Sequence, residues 1–419
     1  MSEISKSALI YSGLPSNKKV ELQVLSQAQG RVVCIQELSA GVDLAGADSL
    51  VDYAAEKVLP LFQLDEAIPL LPVHIAKPWG EEIWFTGIEE RGVSRVGTEE
   101  ANIPITWLLE ACPSLLGGLP ASSLILLKIL APLAEPVYGD LYLEMHELKR
   151  EVYVITHVDE GAWPDRIGAI RMGLNLDEAG SESSFKSEFA KAIAEYAVVR
   201  SEVDALLDEC RQRDGVGLNE PVAATVLKAW LQELAPENPE LMEREYKRRQ
   251  EMNRFTCLQS LAVGDVVKVP THTPHALQHG VRAVEFQTPV YERLILSFAQ
   301  KVLTQSHWDT EQALELMAIQ SYKSQKFEVL SDEGGVLVER IVDFEDFEVL
   351  RVSLESQTGY LLESPLNYAV VMAVAGQLVL GELALGSEEA ALLPNGFRGR
   401  EVLNKEVGKL VFLLAFPKK

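Results

Sequence analysis

Histidine, cysteine and positive charge are all scarce in this sequence. It has 7 histidines and 4 cysteines, and Lys+Arg 38 stand against Asp+Glu 62. The resulting net charge of −24 excludes a protein built to hold a nucleic-acid backbone, which calls for clustered basic residues. It argues equally against docking on anionic lipid. Cys34, Cys112, Cys210 and Cys257 stand apart without a CxxC pair, so no disulfide framework is expected. No stretch reaches the roughly 18 uninterrupted apolar residues of a membrane helix. The first residues also lack the apolar stretch of a signal peptide. Reduced thiols and a cytoplasmic location are the expectation, with neither nucleic acid nor membrane as partner.

What the chain does have is length and apolar material. It runs to 419 residues, 47% of them hydrophobic, which at about 100–200 residues per domain predicts two to four domains. Residues 1–68 read as a small α/β extension: strands over 20–25 and 31–35, then a helix over 48–62. From 69 to 179 short β-like runs alternate with Gly and Pro, among them 82–85, 124–130, 140–146, 152–157 and 169–172. Residues 180–256 change texture. Phe185, Phe189, Ile193, Tyr196, Val203 and Leu206 recur at three- and four-residue spacing, the mark of an amphipathic helix. Asn219 with Pro221 suggests a second helix start, and 239–253 a third, heavily charged helix. Residues 257–300 return to strands, with a helix over 299–305. The segment 301–419 reads as a further sandwich or barrel, its turns marked by Gly376, Gly381, Gly386 and Gly396.

The chemistry concentrates in two places. In Glu144-Met145-His146, residues i and i+2 of a strand face one side, so a carboxylate and an imidazole can address one ion. Glu151 opens the next strand after a short turn and could bring a second carboxylate from an antiparallel neighbour. The second place is Pro270-Thr271-His272-Thr273-Pro274-His275, where prolines fix a loop that aims His275. Two carboxylates with two imidazoles suit Zn²⁺, Mn²⁺ or Fe²⁺ rather than Ca²⁺. No histidine follows His307, so the last barrel cannot repeat this site with imidazoles.

Several stretches in order resemble the type I mannose-6-phosphate isomerases, which are cupin-fold metalloenzymes. They are Lys77-Pro78-Trp79-Gly80, the strand Leu126–Leu130, Glu144-Met145-His146, Lys149-Arg150-Glu151 with Tyr153, and the long signature from Gly264-Asp265 through Pro274-His275-Ala276 and Glu285-Phe286-Gln287 to Arg293. The resemblance covers about residues 70–300. It implies a mainly β fold with a helical insert: two cupin-like β-barrels (jelly rolls), an α-helical domain and the N-terminal extension. One metal-bearing barrel would be split into 69–179 and 257–300 around the insert at 180–256, and 301–419 would form a second barrel without metal. The implied metal ligands are Glu144, His146, Glu151 and His275, holding one divalent ion, Zn²⁺ first with Mn²⁺ or Fe²⁺ as alternatives. Glu285, Arg293 and Lys149 fall at catalytic positions; Trp79, Lys128 and His272 at or beside substrate-handling ones. The implied reaction is isomerisation of a sugar phosphate, mannose 6-phosphate to fructose 6-phosphate through an enediol.

Three departures matter. The segment between His146 and Lys149 is very short, with Leu148 where some members of that family have histidine. Glu144 stands where that family has glutamine, so a second carboxylate offsets the ion's charge and weakens its Lewis acidity. Glu285 and Arg293 are also closer in sequence than in the family. Two rival readings follow: a metal-binding cupin without isomerase activity, and an Fe²⁺ oxygenase, for which three good histidines would be needed.

Overall fold

The computed structural model describes residues 4–38, 49–178, 181–320 and 326–418. The protein is mainly β, 38% strand and 23% helix, and its elements stack in layers. A five-stranded sheet (Thr256–Leu261, Gly168–Leu174, His275–Leu277, Leu143–Met145, Leu294–Ser297, in that order) faces a six-stranded one. The six run Val266–Val269, Glu151–Val158, Val281–Gln287, Leu126–Pro132, Gly80–Trp84, Val73–Lys77, every pair antiparallel. The far face of the six-stranded sheet rests on a nine-stranded sheet. Helices cover the far side of the five-stranded sheet, and two small ribbons, Gly359–Leu362 with Arg400–Leu403 and Leu378–Leu380 with Leu383–Leu385, cover the far side of the nine-stranded one.

Strand alternation explains why this stack holds. In the six-stranded sheet Ile83, Leu127, Ile129, Val152, Val154, Val284 and Phe286 point to one face. There they meet Val349, Val370, Met372, Leu392 and Leu413 of the nine-stranded sheet. At about 1.5–3 kcal/mol per fully buried aliphatic or aromatic side chain, this interface is the main adhesive of the molecule. The alternate residues Glu82, Lys128, Glu151, Tyr153, Glu285 and Gln287 face the five-stranded sheet. That sheet alternates too: Leu143, Met145, Ala276, Leu294 and Leu296 turn outward onto Phe185, Phe189, Ile193 and Tyr196 of the helix Glu182–Arg213. Glu144, His275 and Ile295 turn inward. The helix begins at a capping box between Ser181 and Ser184.

Sequence and structure differ in five places. The strands Arg95–Gly97 and Asn102–Pro104 fall within 69–179 and Ile68–Leu71 straddles its start, yet all three extend the nine-stranded sheet, Ile68–Leu71 pairing with Ala390–Leu393. Conversely the helix Thr310–Leu316, on the C-terminal side of residue 301, buries Ala313 and Leu314 against the strand Leu294–Ser297 and the helical insert. The helix expected over 299–305 is absent: Ala299 gives its carbonyl to the Arg200 guanidinium (3.2 Å) rather than to a following turn. Asn219 does not cap a helix either. Arg211 donates to the carbonyls of Gly217 and Glu220, holding 217–220 as a turn, and the helix starts only at Ala224. The helix expected over 48–62 is shorter, Leu50–Lys57, and Asp48 lies outside the described residues. No helix among the described residues is long and apolar enough to cross a membrane.

Candidate metal centre

Glu144 and His275 are direct partners across antiparallel strands of the five-stranded sheet. His146 follows Glu144 at i+2, one residue beyond its strand, and so reaches the same face. One ligand atom from each of Glu144, His146 and His275 lies within 4.8 Å of the others. Glu151 arrives from the opposite, six-stranded sheet rather than from a hydrogen-bonded neighbour as the sequence suggested. Its Oε2 stands 3.4 Å from His146 Nε2 and 3.3 Å from His275 Nε2. The site therefore sits between two sheets, with three donors from one and the fourth from the other.

The tautomers fit a cation. His275 Nδ1 is 3.1 Å from the Thr273 carbonyl, which can only accept, so Nδ1 carries the proton and Nε2 a lone pair. That Nε2, both ring nitrogens of His146 and Glu144 Oε2 are buried without a hydrogen-bond partner among the described residues. Burial, aided by the nearby Lys149 ammonium, holds His146 below the ordinary imidazole value and hence neutral. Burial pushes Glu151 up, but the Lys149 ammonium at 2.5 Å leads the opposing causes and the carboxylate stays well below its usual pKa. Two imidazoles, each with an unpartnered Nε2 among the described residues, and two carboxyl groups are a donor set for a borderline divalent ion.

Around this point lies a pocket walled by Trp79, Glu82, Arg91, Lys128, Tyr142, Lys149, Tyr153, Glu285, Gln287 and Arg293, with Tyr291 and Glu292 beside them. A single row across the six-stranded sheet supplies its floor. Tyr153 pairs with Glu285, and Glu285 with Lys128. Lys128 is central and buried, not at an edge; its Nζ donates to Gln287 Oε1 (2.5 Å) and lies 3.7 Å from Glu285. Desolvation raises the Glu285 pKa well above the carboxylate range; Lys128 opposes the rise and the Glu151 carboxylate adds to it. Tyr153 donates to Glu151 Oε2 at 2.7 Å.

Trp79 is 1% exposed, with an unpartnered Nε1. It is placed by Gly80, whose φ of +145° and close approach to the Ala131 carbonyl, 2.2 Å from where a Cβ would sit, admit no side chain. Arg293 lies 4.7 Å over the Tyr142 ring and donates to Thr304, its buried Nε left free. His272 is the exception among the residues picked from sequence. Its loop, at φ +60°, hydrogen-bonds the His146 carbonyl through the backbone, but the side chain is neither in the ligand group nor in the pocket wall. Glu82, Arg91, Tyr142 and Glu292 were missed. Glu82 alone carried a signal, since it alternates with Ile83 on a strand.

No protein-family model matches the sequence, and no curated protein does. Solved structures share the fold. The mannose 6-phosphate isomerase of Bacillus subtilis superposes with a TM-score of 0.58 at 14% identity, over 84% of this chain and 99% of that one. A putative mannosephosphate isomerase from Archaeoglobus fulgidus gives 0.51 at 10% identity, over 84% and 98%. A mannose 6-phosphate isomerase bound with zinc and yttrium gives 0.52 at 14%, over 84% and 100%.

Proposed function

We propose that this protein is a metal-dependent aldose–ketose isomerase of a sugar phosphate, most simply mannose 6-phosphate to fructose 6-phosphate. The observation that carries the reading is the buried Glu285 carboxyl beside the Glu144, His146, Glu151 and His275 cluster, in which both His146 ring nitrogens and His275 Nε2 have no hydrogen-bond partner among the described residues. The names borne by proteins of the same fold support the substrate class.

A divalent ion held by Glu144, His146, Glu151 and His275, Zn²⁺ before Mn²⁺ or Fe²⁺, supplies Lewis acidity at the sugar's oxygens. Glu285 takes the proton from C2 of the aldose and returns it to C1, while a proton passes from O2 to O1; nothing is gained or lost. Its raised pKa suits a group that must hold and release a proton near neutrality. Lys128 and Lys149 offset the charge of the enediolate between C1 and C2. Arg293, with its free Nε, and the more exposed Arg91 receive the phosphate end. Trp79 walls the pocket and keeps water from the intermediate.

Proton exchange at C2 of mannose 6-phosphate in deuterated water tests this. Deuterium should enter at C2 with Zn²⁺, Mn²⁺ or Co²⁺ supplied; its absence with all three rules out that substrate. Glu144 favours one second reading, a metal-binding cupin that does no isomerisation, because two carboxylates neutralise the ion's formal charge.

A further inference from the structure

The turn between His146 and Glu151 must be held in one shape, because its two ends carry metal-site residues and its middle carries Lys149. Three successive backbone N–H groups of this turn are held by one side chain. The Glu292 carboxylate accepts from three successive N–H groups: Glu147 (2.6 Å, to Oε1), Leu148 (2.9 Å, to Oε2) and Lys149 (3.2 Å, to Oε2). Burial pushes the Glu292 pKa up, yet these three donors outweigh it and keep the group ionised. On the other side, the Arg150 carbonyl accepts from the Thr288 N–H, the Arg150 N–H donates to Thr288 Oγ1 (3.1 Å), and Thr288 Oγ1 donates to Asp346 of the C-terminal region.

We infer that Glu292 is a positioning residue: by clamping the backbone of 147–149 it sets where His146 and Glu151 meet the metal and where Lys149 meets Glu151. The inference rests on reading His146 and Glu151 as ligands. Glu292 touches neither substrate nor ion in this role. It acts as an anion in a backbone nest, a job that needs both carboxylate oxygens as acceptors. Leu148 is 61% exposed, so the turn has no apolar anchor of its own to replace the clamp. Glu292 is also the neighbour of Arg293, so the stretch that offers a cation to the pocket fixes the turn as well.

Glu292→Gln is the direct test. A glutamine keeps the shape, but its NH₂ must face one of the three N–H donors, so at least one bond is lost. Co²⁺ binding to metal-free protein is read by equilibrium dialysis and by the visible absorption of the bound ion, with circular dichroism to confirm folding. The expected result is a folded E292Q that binds Co²⁺ about 10–100-fold more weakly, with a shifted visible band. A folded E292Q with wild-type affinity and spectrum overturns the positioning role. Wild-type protein that binds no Co²⁺ sinks the metal reading itself, a separate outcome. If E292Q does not fold, Glu292→Asp replaces it. Its shorter carboxylate can reach fewer of the donors, so a weakening between wild type and tenfold is expected, and wild-type binding again refutes the role.

Discussion

Removing Lys149 should hurt the metal-free protein far more than the metal-loaded one. Its Nζ lies 2.5 Å from Glu151 Oε1, and both residues are buried, 7% and 1% exposed. In Lys149→Met the stem is kept and the charge goes, which leaves an ionised carboxylate without its cation. Breaking a buried pair in this way costs about 3–5 kcal/mol. Unfolding entropy scales at about 2.1 cal/mol/K per residue. A chain of 419 residues melting as a unit then has roughly 0.9 kcal/mol/K at its midpoint. The cost converts to a Tm lower by about 3–6 °C. A divalent ion beside Glu151 supplies the missing positive charge, so with metal bound the same substitution should lower Tm by less than half as much. Calorimetry of wild type and K149M, each with EDTA and with Zn²⁺ in excess, measures both differences. A drop below about 1 °C without metal, or an equal drop with and without it, would refute the claim that Lys149 and the ion share one carboxylate.

Other predictions follow from the same geometry. His146→Ala and His275→Ala should each abolish tight metal binding, seen as loss of Zn²⁺ in elemental analysis after dialysis, whereas Glu144→Gln should bind metal and isomerise at least as fast as wild type. Glu82 is buried, which raises its pKa, but Lys128 (4.0 Å), Lys77 (3.1 Å) and the Trp84 indole N–H bring it down to about 2. A depressed carboxylate adds stability above its ordinary pKa of 4.5 and loses it as pH falls towards 2, so the acid-side decline of Tm should be shallower in Glu82→Gln over that window. Tyr368 Oη accepts from Ile125 N–H (2.8 Å) and donates to the Ser123 carbonyl (2.6 Å) across the central interface, so Tyr368→Phe should cost about 1–3 kcal/mol in denaturant unfolding by orphaning a buried amide.

The candidate ligands Glu144, His146 and His275 were legible because the local placement of each depends on short-range facts. Glu144 and His146 share a face by strand period, and His275 follows two prolines in a fixed loop. Once adjacent strands pair, Glu144 and His275 have no choice but to meet. What failed to show were facts of long range. That Ile68–Leu71 pairs with Ala390–Leu393 is a contact across more than 300 positions, and an alternating apolar run of four residues says nothing about its partner. A lysine among leucines on a strand usually ends in water, and nothing local in the sequence marks Lys128 as buried. Here its neighbours on both sides are strands, and acids on those strands, Glu82 and Glu285, receive the charge. Glu292 was invisible for another reason. Its function is the curl of a loop 143 to 145 positions away in sequence, and no periodicity encodes a carboxylate that serves only backbone.

The charge balance that opened the problem resolves at the scale of the pocket. A protein of net charge −24 should repel a phosphate dianion at long range, and many of its acids line the solvent side of the helices Glu182–Arg213 and Pro239–Asn253. Within the pocket the balance differs. Arg91, Lys128, Lys149 and Arg293 supply four cations, against the carboxyls of Glu82, Glu144, Glu151, Glu285 and Glu292, of which burial pushes Glu285 toward its neutral form. The protein's own charges thus come close to cancelling there, and a divalent ion turns the balance positive. At about 4 Å and an effective dielectric of 20, each unit pair is worth about 4 kcal/mol. Bulk repulsion acts across water and falls away within a Debye length of about 8 Å at physiological salt. The short-range term wins, and its sign depends on the metal. Affinity for an anionic sugar phosphate should therefore fall when the ion is removed, and affinity for an uncharged hexose should fall less.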